Sequence, residues 1–134
     1  MDIKKLKKLL KELGLQNLLS YDIEVSYCTG AFWRDPWQTS IAKTFQEGQI
    51  LTIAWQWVGE DKVHVLGQCD GPKYKPGVLD DKWLVETFVK DVYNKADWRI
   101  GQNSDAFDDK WINSRLFIHG LNPPKPSKTF DTKK

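Results

Sequence analysis

Two carboxylates standing two residues apart inside an apolar run are the first unusual feature of this chain. Leu18-Leu19-Ser20-Tyr21-Asp22-Ile23-Glu24-Val25 reads as a strand, and alternation along a strand puts Asp22 and Glu24 on one face. Burying ionised carboxylates without cations is costly, because each oxygen gives up its hydration. A divalent ion removes that cost. Mg²⁺ and Mn²⁺ prefer oxygen ligands, and hydrolysis of a phosphodiester gains from two such ions about 4 Å apart. A centre of that kind needs acids from several elements converging at one end of a sheet. Asp108 is the third candidate, placed where a strand hands over to a helix, the position at which open α/β sheets bind ligands. An Asp-x-Glu pair taken alone more often marks a solvated strand edge, so the third acid matters.

The elements that must position these residues follow from the hydrophobic pattern. Leu6, Leu9, Leu10 and Leu13 recur at helical spacing among lysines and stop at Gly14, which predicts a short amphipathic helix within residues 1–17 that packs on the domain or contacts a partner or DNA. Residues 27–48 form a long excursion with a short helix expected near Thr39 to Phe45. Gln49 to Val58 and Val63 to Leu66 are strands about a turn at Gly59-Glu60-Asp61-Lys62, hence a hairpin. Gly71 to Gly77 is a loop, and a helix is expected from about Asp80 to Ala96. Trp98 to Gln102 is a short strand, Phe107 to His119 a helix closed by Gly120, and Lys128 to Asp131 the start of a last strand. The order predicts an α/β domain with a mixed sheet of about five strands and helices on its faces.

Composition sets the outer limits. A chain of 134 residues, 40% hydrophobic and 13% aromatic, is enough for one core. Lys and Arg number 20 against 18 Asp and Glu, so charge alone does not announce a nucleic-acid binder. Cys28 and Cys69 lack the paired spacing of a zinc site or a disulfide framework, and two reduced thiols are expected. Lysines interrupt every apolar stretch of the N-terminus, which leaves neither a signal-peptide core nor a membrane span. A cytoplasmic setting is the default expectation.

Three further groups admit two readings each. Trp33 and Trp37 beside Arg34, in Phe32-Trp33-Arg34-Asp35-Pro36-Trp37, suit stacking on the bases of a single strand. They equally suit filling the core, since seven tryptophans need places. Asp105 and Asp109 read as solvated acids at a helix start, favoured by its dipole, and His119 reads as a C-terminal cap. Phe107 is expected to pack.

Tyr21-Asp22-Ile23-Glu24 resembles the first motif of the ribonuclease H-like 3′–5′ exonucleases, the four-acid group that includes the proofreading domains of family B DNA polymerases. Asn103-Ser104-Asp105-Ala106-Phe107-Asp108 is similar to their second motif, an Asn five positions before an Asp that follows an aromatic residue. Lys110, Asn113, Arg115, Gly120-Leu121, Pro123-Pro124 and Asp131-Thr132 look like the run that follows in phage and bacterial members. The hairpin, with Ile53-Ala54-Trp55 and Val63-His64-Val65, falls where such proteins place their second and third strands. The resemblance covers residues 18–134.

What the resemblance implies is specific. The fold would be ribonuclease H-like, and Asp22, Glu24 and Asp108 would be the catalytic metal ligands for two Mg²⁺ or Mn²⁺ ions, with Glu24 also orienting the attacking water. Asn103 would organise the loop or touch substrate, and Trp33, Arg34 and Trp37 complete the candidate substrate-binding set. The substrate would be single-stranded DNA or a DNA 3′ end. The family's third motif, a Tyr or His shortly before a fourth Asp on a C-terminal helix, should lie beyond Asp131, and neither His64 nor His119 matches it. Three readings follow: a split exonuclease completed by a C-terminal exonuclease or polymerase fragment in trans, a diverged nuclease using three acids, or an inactive module binding nucleic acid or protein. One sheet face left without its helix would favour a partner or a homodimer.

Overall fold

The structure, a computed structural model, describes residues 2–32, 42–104 and 107–133. Helix α1 (Ile3–Glu12) leads into strand β1 (Leu18–Val25), followed by β2 (Thr29–Ala31), β3 (Lys43–Gln46), β4 (Ile50–Trp57) and β5 (His64–Gly67). Helix α2 (Lys82–Asp91), strand β6 (Trp98–Gly101), helix α3 (Asp108–Ile118) and strand β7 (Lys128–Asp131) complete the chain. Single 3-10 turns at Gln68–Asp70 and Tyr93–Lys95 precede and follow α2.

Five strands form one sheet in the order β5-β4-β1-β6-β7, while β2 and β3 pair separately. β4 runs antiparallel to β5, so the expected hairpin is present, and β1 runs antiparallel to β4 with Asp22 opposite Ala54 and Glu24 opposite Thr52. β6 lies parallel to β1 and β7 parallel to β6. The mixed α/β sheet with flanking helices is thus the fold the sequence predicts. Parallel neighbours require crossovers, and α2 and α3 supply them.

Alternation in β1 decides which face is covered. Leu19, Tyr21 and Ile23 are buried, whereas Ser20, Asp22 and Glu24 are exposed. Leu84, Val85, Phe88 and Val89 recur on one face of α2 and pack with Ile50, Ile53, Tyr93, Ile112 and Leu116 over the buried residues of β1. Tyr21 meets Phe88 at 5.9 Å and Tyr93 edge-on at 5.6 Å between ring centroids. The fully buried Phe88 alone contributes about 1.5–3 kcal/mol of transfer free energy. The opposite face is open: Val65, in register with Ala54, is 64% exposed, and Phe130, in register with Ile100, is 57% exposed. Asp22 and Glu24 project from that open face.

Two local expectations change. The helix anticipated near Thr39 to Phe45 is replaced over Lys43–Gln46 by β3, whose residues are all exposed and which pairs with β2. Exposed on both sides, this strand has no period-2 apolar signal, and only pairing defines it. The helix anticipated up to Ala96 ends at Asp91 and tightens into the turn at Tyr93–Lys95. The amphipathic helix α1 forms, with Asp2 capping its N-terminus and Gly14 at φ +70 after its end. It buries no residue, but Lys7 and Leu10 lie against Gly59 in the β4–β5 turn. Among the described residues no helix is long and apolar enough to cross a membrane. Cys28 and Cys69 are both exposed and free.

Candidate functional site

Local devices shape the turn from β6 into α3, whose first residue is Asp108. β6 stops at Gly101, where a side chain would force the turn to shift: an added Cβ would lie 2.6 Å from the Cβ of Ser104. The chain therefore doubles back tightly, with Ser104 buried against the strand end. Asn103 then takes the left-handed conformation, φ 59, which Asn tolerates better than most residues. Its backbone N–H donates to the Asp131 carboxylate at 2.8 Å, and the Lys133 N–H donates to the same oxygen at 3.0 Å. Asp108 follows as the first residue of α3 and is buried.

Asp22, Glu24 and Asp108 do not bring three ligand atoms within 4.8 Å of one another, and the link between Asp22 and Asp108 is electrostatic. Burial pushes the Asp108 carboxyl up to about 7, and the charges of Asp22, Asp109 and Asp131 push it in the same direction. The dipole of α3 favours an ionised acid at its N-terminus, yet burial and three neighbouring carboxylates outweigh it. The charges of Asp22 and Asp131, both remote in sequence, thus act on Asp108. Glu24 projects from the same face as Asp22, one step further along β1. A buried acid made hard to ionise by like charges fits a hard divalent cation, which would restore the charged form.

Asp109 is not the solvated acid its position suggests. It is half-buried, and its Oδ1 accepts hydrogen bonds from the hydroxyls of Tyr21 and Tyr93, the latter at 2.8 Å. Arg99, buried on β6, stacks its guanidinium 3.8 Å above the Tyr93 ring, and its charge acts on Asp109 and Tyr21. Asn103 organises the turn, as the position of its N–H shows. Trp33, Arg34, Trp37 and Asp105 lie outside the described residues.

A second acidic group stands elsewhere. Asp80, Asp81 and His119 bring ligand atoms within 4.8 Å of one another, a cluster that could hold a metal ion. His119 caps the far end of α3 from Asp108, about 16 Å along the helix at 1.5 Å per residue. Asp81 is fully buried and already engaged, by Arg115 through Nε at 2.7 Å and Nη2 at 2.9 Å, by His119 at 2.5 Å and by the Ile50 N–H at 3.0 Å. Burial raises its carboxyl, but the bonds from Arg115, His119 and Ile50 prevail and hold it below the usual range. The guanidinium supplies the charge a cation would bring, so this group pins the starts of α2 and β4 to the end of α3. His119 does cap α3, but its ring serves Asp81.

Sequence reasoning missed Asp131 as part of the acid group and misread Asp109. No sequence signal marked Asp131, whose place follows from β7 lying parallel to β6 with Gly101 as its register partner. Between Glu47, Gly48 and the α3 residues Lys110, Trp111, Ser114 and Arg115 runs an open groove of about 420 Å³. An added Cβ on Gly48 would meet the Trp111 ring at 2.7 Å, so glycine lets the indole lie flush there.

No protein-family model and no curated protein sequence matches the chain. Among solved structures, the family B DNA polymerase from the hyperthermophilic archaeon Pyrobaculum calidifontis is similar in fold. The TM-score is 0.50 and the identity 22%, with 78% of this chain covered. The chain spans 11% of that polymerase. The fold is therefore a mixed α/β domain of a kind found within a family B DNA polymerase.

Proposed function

We propose that this chain is a ribonuclease H-like, metal-dependent 3′–5′ exonuclease domain, or part of one, that hydrolyses DNA phosphodiesters at 3′ ends. The observation that carries it is the charge of Asp22, on β1, acting on the buried carboxyl of Asp108, at the start of α3 and remote in sequence. Asp22, Glu24 and Asp108 would hold Mg²⁺ or Mn²⁺. Two such ions, when bound, supply activation of the attacking water and stabilisation of the leaving oxygen. Asp22 and Glu24 present their carboxylates from the open sheet face, where a phosphodiester can approach. Asp108 brings a buried third carboxylate from the helix. The groove along α3 begins within a turn of Asp108 and offers the Trp111 ring for stacking and Lys110 for a phosphate. A fourth acid and a Tyr or His would come from further polypeptide, in cis or in trans.

The test is release of nucleotides from a 3′-labelled single strand in Mn²⁺, with Asp22→Ala as the control. These residues alone should give slow release, lower by about 10²–10⁴ than with a partner bearing the missing base, and none in Asp22→Ala. Release unchanged in Asp22→Ala would refute the reading. The open apolar face with Val65 and Phe130 favours a second reading, an inactive module of the same fold that binds a protein partner. That module would take no Mn²⁺ at Asp108.

A further inference from the structure

Tyr21 and Tyr93 are both buried, and a buried phenol needs a hydrogen-bond acceptor. Both find the same atom, Oδ1 of Asp109. The two tyrosines come from different elements, Tyr21 from β1 and Tyr93 from the turn after α2, so Asp109 joins three pieces of the fold at the first turn of α3. Arg99, stacked on Tyr93, balances the carboxylate's charge. The link lies next to the candidate metal ligands in the chain: Tyr21 immediately precedes Asp22, and Asp109 immediately follows Asp108.

The geometry has a mechanical consequence. Successive residues on a helix point about 100° apart, whereas successive residues on a strand point to opposite faces. Fixing the Asp109 side chain beneath the sheet therefore fixes the rotation of α3 about its axis, and with it the direction of Asp108. Fixing Tyr21 to the same atom sets the separation between that helix turn and the backbone that carries Asp22. We infer that Asp109 is a positioning residue for the carboxylate centre, acting through its bonds to Tyr21 and Tyr93 to set the direction of Asp108 relative to the strand that carries Asp22. The inference rests on the reading of Asp22 and Asp108 as metal ligands.

The experiment is a Mn²⁺ titration of the full chain, followed by the electron paramagnetic resonance signal of free Mn²⁺, in the parent, Tyr21→Phe, Asp109→Asn and the double variant. Loss of an orienting partner of a ligand commonly weakens metal binding 10–100-fold. Each single variant should weaken Mn²⁺ binding about 10-fold or more, and the double variant should be no weaker than the worse single one, because both remove one link. Val85→Ala, a core change on α2 one helical turn from Asp81, lowers stability without touching this link, and its Mn²⁺ affinity should equal the parent's. Should Asp109→Asn not fold, Tyr21→Phe, which removes one hydroxyl, carries the test. Parent-like affinity in Tyr21→Phe and Asp109→Asn would overturn the inference while leaving the metal centre standing. A parent chain that takes up no Mn²⁺ would overturn the metal centre and the inference together.

Discussion

The Asp131 carboxylate accepts the backbone N–H of Asn103 at 2.8 Å, tying the end of β7 to the turn that launches α3. The same carboxylate is one of the charges that raise Asp108, so structure and electrostatics can be separated by substitution. Asp131→Asn retains an oxygen acceptor and loses the charge. It should lower the Asp108 carboxyl from about 7 with little loss of stability. Asp131→Ala leaves two backbone donors without this acceptor and should cost about 1–3 kcal/mol. Carboxyl carbon NMR titration and urea unfolding read the two effects.

The pH dependence of the metal-free chain follows from the same acid. Asp108 has its carboxyl raised on folding, so between the ordinary carboxylate range and about 7 the folded state binds more protons than the unfolded one. Stability contributed by this group is present at low pH and falls as pH rises through that window. Asp81 has the opposite sign: its carboxyl is lowered, so its contribution is present above the ordinary range and is lost in acid. The melting temperature should therefore decline from about pH 5 to about pH 7. Asp108→Asn should flatten that decline and leave the acid limb unchanged.

Metal should reverse the decline. Millimolar Mn²⁺ at neutral pH should raise the melting temperature, as any ligand selective for the folded state does, and Asp108→Asn should abolish most of the rise. An equal rise in both proteins would locate the bound ion away from Asp108.

The Asp81 and Arg115 pair makes a separate prediction about stability. Arg115→Met removes the guanidinium from a fully buried carboxylate. Breaking one side of a buried pair costs about 3–5 kcal/mol, to be read in urea unfolding. Mn²⁺ affinity at the Asp108 end of α3 should be untouched in any fraction that remains folded.

Where local pattern and tertiary structure agree, the sequence could be read directly. The alternation of β1 announced both its buried face and the outward Asp22 and Glu24. The run from Asn103 to Asp108 announced the strand-to-helix handover, because a left-handed Asn and a glycine strand end are local chemistry. The contribution of Asp131 depends on β7 lying parallel to β6 in a particular register, which no local pattern encodes. Asp109 looked solvated because a helix-start acid usually is; the two tyrosine hydroxyls that claim it lie far away in the chain. β3 escaped notice because all its residues are exposed, so pairing alone defines it.

Paramagnetic line broadening by substoichiometric Mn²⁺ in the amide NMR spectrum tests the central claim most directly, because it reports where the ion sits. Broadening centred on Tyr21 to Glu24, Asp108 and Asp131, competed by Mg²⁺ and lost in Asp108→Asn, is the result expected of a carboxylate centre at the end of β1. Broadening centred on Asp80, Asp81 and His119, or none at all, would contradict it.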